Sequence, residues 1–102
     1  MEFKDLLKVL EEYYAKATEV AEVRRKWFDH KVQIKIEKYQ TETDSRHGMK
    51  TFQDSITRNI DYIFSIYGDS DNVDFTILKD NINNFIEFAN MWLDCFEENK
   101  GE

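Results

Sequence analysis

No proline interrupts the 102-residue chain, and only three glycines, Gly48, Gly68 and Gly101, relax its backbone. Proline breaks helices and glycine weakens them, whereas sandwiches and barrels need many turns. A chain so poor in breakers is suited to long helices. Its length is that of one domain. Apolar residues make up 41% and aromatic residues 15%, enough for a packed interior despite 34% charged residues.

Apolar positions in the first forty residues fall at Phe3, Leu6, Leu7, Leu10, Tyr13, Tyr14, Ala17, Val20, Ala21, Trp27 and Phe28. They continue through Val32, Ile36 and Tyr39, in the three- and four-residue steps of an amphipathic helix. An unbroken helix from Glu2 to about Thr43 would span roughly 60 Å, long for this domain, which favours a bend near Asp29–Lys31. Lys31-Val32-Gln33-Ile34-Lys35-Ile36 alternates like a half-buried strand, but no second alternating run exists to pair with it. It is therefore read as helix.

Thr43-Asp44-Ser45-Arg46-His47-Gly48 reads as a turn. A second helix is expected from a Thr51/Asp54 cap to about Tyr67, with Phe52, Ile56, Ile60, Ile63 and Tyr67 on one face. Gly68 and the acidic residues after it end that helix. The third helix, about Val73 to Glu98, places Phe75, Leu78, Ile82, Phe85, Ala89, Trp92 and Phe96 at alternating three- and four-residue steps. Ile86, Phe88, Met91, Leu93 and Cys95 make it apolar almost all round. The expected fold is an all-α antiparallel three-helix bundle, residues 1–102 forming a single domain with a long first helix. The apolar excess on the third helix favours a homodimer, with Phe88, Met91 and Cys95 at the subunit contact.

Charge and cysteine usage narrow the function classes. The net charge of −7 disfavours nucleic acid, whose binding rests on neutralised phosphates. Residues 23–38 nevertheless carry six cations against Asp29 and Glu37. Residues 51–102 carry three cations against eleven acids. On one continuous helix Arg24, Lys31, Lys35 and Lys38 form a stripe suited to an acidic protein partner, where charge mainly sets on-rate and specificity. The plainer reading of that stripe is solvated surface near the chain's own acidic half. Cys95 is the only cysteine, so no internal disulfide forms. The N-terminus is too charged for a signal peptide, and no apolar run reaches bilayer length. The expected compartment is the cytoplasm.

Chemical motifs are sparse. Asp69-Ser70-Asp71-Asn72-Val73-Asp74, with Asp80 at the twelfth position, imitates a calcium loop. It has Val73 where an oxygen ligand belongs, Asp74 for Gly and Asp80 for Glu, so turn and cap roles explain it better. His30, His47 and Cys95 lack zinc-ligand spacings. No metal or cofactor is expected. Arg25-Lys26-Trp27-Phe28-Asp29-His30 resembles the Arg-x4-6-His element of HEPN-type ribonucleases, which are all-helical and often dimeric. The resemblance covers six residues and implies that Arg25 orients phosphate and His30 transfers a proton. Lys26 stands where that family commonly has a polar residue such as Asn, and the element lies early in the chain rather than late. Solvated helix surface is the simpler account of the pair. The leading expectation is a small, acidic, non-catalytic protein-binding module: a regulator, inhibitor, immunity protein or chaperone. The alternatives are a HEPN-like ribonuclease and a self-assembling structural subunit.

Overall fold

A computed structural model describes residues 3–30, 36–67 and 75–97. They form three helices: α1 (Phe3–His30), α2 (Ile36–Tyr67) and α3 (Thr76–Glu97). The molecule is a rod measuring 53 × 20 × 17 Å. Ring contacts between Tyr13 and Phe85 and between Trp27 and Phe96 show that α1 runs parallel to α3. Asn59 meets Asn81, Phe52 meets Phe88 and Glu42 meets Trp92, so α2 runs antiparallel to it. The result is an up-down-up helical bundle, the fold class expected from the sequence.

The third helix organises the core. All seven heptad positions, from Phe75 immediately before the helix to Phe96, are buried. Two flanking helices are needed to cover so wide an apolar surface, and α1 and α2 take one side each. Leu6, Leu10, Tyr13 and Val20 close it from α1, and Met49, Ile56 and Ile63 close it from α2. Asn81 Nδ2 donates to Asn59 Oδ1 at 2.7 Å, a partly buried polar contact between α2 and α3.

The boundary between the first two helices differs from the expectation. α1 stops at His30, and α2 begins at Ile36 rather than near Thr51. The 43–48 segment is not a turn but lies inside a 32-residue helix. Its turn-forming side chains are satisfied by the helix itself. Thr43 Oγ1 donates to the Tyr39 carbonyl at 3.0 Å and Ser45 Oγ to that of Thr41 at 2.7 Å. Thr51, expected as a cap, donates to the His47 carbonyl at 2.9 Å. Hydroxyls bonded back in this way are tolerated in helix interiors. Gly48 has a tertiary reason: a Cβ built there would lie 2.6 Å from the Phe88 ring. Residues 36–40 are helical, but Ile36 and Tyr39 are exposed and do not extend the apolar face of α1. The remainder of the alternating segment, residues 31–35, and the acidic loop at 68–74 lie outside the described residues.

Two buried groups make alkaline stability a test of this core. Burial pushes the Cys95 thiol above its ordinary value of 9.0, the Glu42 charge adds to the effect, and Lys38 opposes it. Burial likewise raises the Tyr13 phenol above 10.0, against a hydrogen bond with Gln53. Both groups stay neutral longer when folded, so their contribution is full below those ordinary values and is lost as pH rises through the raised ones. The urea midpoint should therefore decline progressively above about pH 9, and Tyr13→Phe should remove part of the decline beyond about pH 10. An identical alkaline profile in Tyr13→Phe would contradict the burial of the phenol. Cys95 should also react slowly with a thiol reagent at neutral pH until the chain is unfolded, because the thiolate is the reactive form.

Candidate functional site

The feature with the most chemistry is a cleft of about 600 Å³ between α1 and α2. It exists because those two helices each contact α3 yet have no Cα atoms within 8 Å of one another among the described residues. Packed helices ordinarily lie with axes 8–10 Å apart. Phe85 and Trp92 of α3 form the floor. Ala17, Val20, Ala21, Arg24 and Trp27, spaced along one stripe of α1, make one wall. Glu42, Arg46, Met49 and Lys50, with Gln53 and Asp54 beyond them, make the α2 wall.

The α2 wall continues the core heptad of that helix. Counting back from Ile56 and Phe52 in three- and four-residue steps reaches Met49, Ser45 and Glu42. The last two are the only polar residues buried among those described. Ser45 is satisfied by its own helix, through the Thr41 and Glu42 carbonyls. Glu42 faces inward at only 6% exposure, where its Oε1 accepts a hydrogen bond from Trp92 Nε1 at 3.1 Å. Arg46 Nε lies 3.5 Å from the same oxygen and bridges the pair to solvent. A buried carboxylate needs such partners, because an unpaired one costs several kcal/mol. On the opposite side the Arg24 guanidinium sits 5.9 Å from the Trp92 ring centroid, a cation–π arrangement. Trp92 is thus held by an acceptor at its edge and a cation over its face.

The expected docking stripe is divided by the break between α1 and α2. Arg24 lines the cleft. Lys38, on α2, borders a separate depression of about 260 Å³ with Thr41, Met91, Asp94 and Cys95. Lys31 and Lys35 fall outside the described residues, and Arg24 and Lys38 lie on two different helices. The expected subunit-contact residues also separate. Phe88 stacks on Phe52, with ring centroids 5.7 Å apart, and Cys95 Sγ lies 3.5 Å from the Lys38 carbonyl, so both serve the α2–α3 contact within the chain. Met91 remains exposed. Arg25 is exposed on α1, and His30 ends that helix with its side chain outside the described residues.

The sequence reading missed Glu42, Arg46, Met49 and Lys50 because it placed them at a helix end, in a turn or ahead of the Thr51 cap. Phe52 and Ile56 carried the phase that would have found them. Among the described residues no group of three or more His, Cys, Asp or Glu side chains is placed to hold a metal ion. No described helix is long and apolar enough to cross a membrane. In comparisons with protein families, with curated proteins and with solved structures, the chain has no significant match.

Proposed function

We propose that this chain is a protein-binding module and that the cleft between α1 and α2 is its docking surface. The observation that carries the reading is the gap itself. An arc of three helices leaves one inter-helix position open, floored by aromatic side chains and edged by charge. Aromatic and Arg side chains are the residue types that most often dominate binding energy. Trp27, Trp92 and Arg24 meet here. The function is non-catalytic: the cleft recognises a partner by shape and charge, as an inhibitor, regulator or chaperone would.

The test compares proteins retained from lysate of the source organism by three immobilised forms. These are the wild type, the cleft variant Arg24→Glu/Lys50→Glu, and Ile77→Ser as a control on an exposed position of α3. A single protein held in near-equal amount by wild type and control, and lost from the cleft variant, is expected. Equal retention by all three forms would remove the cleft from consideration. Both charge reversals lie at exposed helix positions, so circular dichroism should show unchanged helicity.

A further inference from the structure

We infer that the occupant of the cleft is an acidic amphipathic helix of about three turns, seated as a fourth helix between α1 and α2. This rests on the cleft being the docking surface. The dimensions fit. From Ala17 to Trp27 the α1 wall runs about 15 Å, and from Glu42 to Asp54 the α2 wall runs about 18 Å, lengths matched by ten to twelve residues of helix at about 1.5 Å each. A volume of about 600 Å³ holds the anchoring side chains of one helix face while the rest of that helix stays outside. Ala17 and Ala21, one turn apart on the α1 wall, keep that side shallow enough for a helix backbone to come close.

Charge selects the sign of the occupant. Arg46 and Glu42 pair with each other, which leaves Arg24 on the α1 edge and Lys50 on the α2 edge against Asp54, a net lining charge of +1. Lys50 makes no ion pair among the described residues. The edges are therefore net cationic in a chain whose total is −7. A helix carrying Glu or Asp beside its apolar face would pair with those edges, and one flanked by Lys would be repelled. Apolar anchors at i, i+3, i+4 and i+7 would lie against the accessible apolar surface of the α1 wall, Ala17, Ala21 and Trp27, above the buried floor of Trp92 and Phe85.

The experiment uses the full chain and a panel of fluorescein-labelled helical peptides of about 14 residues. All carry Leu at the i, i+3, i+4 and i+7 positions, with Glu, Lys or Ser at the flanking ones. Fluorescence anisotropy should show the Glu series binding at least about tenfold tighter than the Lys series, with that advantage shrinking between roughly 50 and 500 mM salt. Ala21→Trp, at an exposed position, should obstruct the mouth and weaken the Glu series by about tenfold or more. Arg24→Glu/Lys50→Glu should turn the preference toward Lys. Equal binding of all three series, no binding by the Glu series, or undiminished binding to Ala21→Trp would each overturn the inference. So would a dimer of the chain alone that sedimentation shows to be lost in Ala21→Trp, since the occupant would then be a second copy. If the lysate experiment captures a protein through the cleft and the Glu series does not bind, the docking surface stands and the acidic helix falls. If both experiments fail, both readings fall.

Discussion

Trp92→Ala is expected to destabilise the fold by about 3–5 kcal/mol, the range for deleting a large buried aromatic side chain. That approaches the whole stability of a marginal domain, which is about 5–15 kcal/mol. The indole is 2% exposed, packs on Phe96 with ring centroids 4.6 Å apart and forms part of the cleft floor. Its loss also strips Glu42 of its indole donor. The polar part can be separated from the packing part. Trp92→Phe keeps an aromatic body but leaves the buried carboxylate short of a donor. Glu42→Leu leaves the indole N–H without its acceptor. Each single change should cost about 1–3 kcal/mol from the orphaned group. The double variant removes both partners at once and should lose much less than the sum, with a coupling of about 0.5–3 kcal/mol measured by urea unfolding. Additive losses would mean that the 3.1 Å bond contributes nothing and that Glu42 is stabilised by Arg46 and Thr43 instead.

That pair also marks where sequence reasoning stopped. The third helix was legible residue by residue, because Phe75, Leu78, Ile82, Phe85, Ala89, Trp92 and Phe96 keep an unbroken heptad phase and all are buried. In α1 the buried line of Leu6, Leu10 and Tyr13 was legible too, although the same spacing admitted Leu7 and Tyr14, which face solvent. The first half of α2 was not. Its core positions continue back from Phe52 to Met49, Ser45 and Glu42, and two of those three are polar. A reading based on hydrophobicity loses the helix where the protein buries polar groups. Thr43, Ser45 and Gly48 then look like turn chemistry, although the hydroxyls bond back to the helix and the glycine accommodates a ring from α3. The candidate site was hidden for the same reason. Its α2 wall departs from the apolar pattern, and of the two stripe residues that are described Arg24 lines it and Lys38 does not.

Gly48→Ala should reverse the usual rule for helix interiors. In an exposed helix the change stabilises by about 1 kcal/mol, because alanine restricts the unfolded chain and favours the helical backbone. Here the added methyl would lie 2.6 Å from Cδ1 and Cγ of Phe88 and 2.8 Å from its Cδ2. Those atoms belong to the ring and its attachment, so no flexible tip can swing away. The whole ring must move, and it is stacked on Phe52, itself a member of α2. Overpacking of this kind costs about 1–3 kcal/mol, which outweighs or at least cancels the gain in helix propensity. The net effect is expected to be a loss of up to about 2 kcal/mol in the unfolding free energy. The decisive measurement is the same substitution made in a Phe88→Ala background. With the ring removed nothing opposes the methyl, and Gly48→Ala should then stabilise by up to about 1 kcal/mol, a change of sign. Stabilisation by Gly48→Ala in both backgrounds would show that α2 and α3 do not approach this closely at Gly48. Loss in both would mean that a neighbour other than Phe88 excludes the methyl. A reversal of sign would establish that a single glycine sets the depth at which the two helices meet. That depth matters beyond stability, because Phe88 lies on α3 between Phe85 and Trp92, the two residues that floor the cleft. A helix pair forced apart at Gly48 should therefore also weaken whatever the cleft binds.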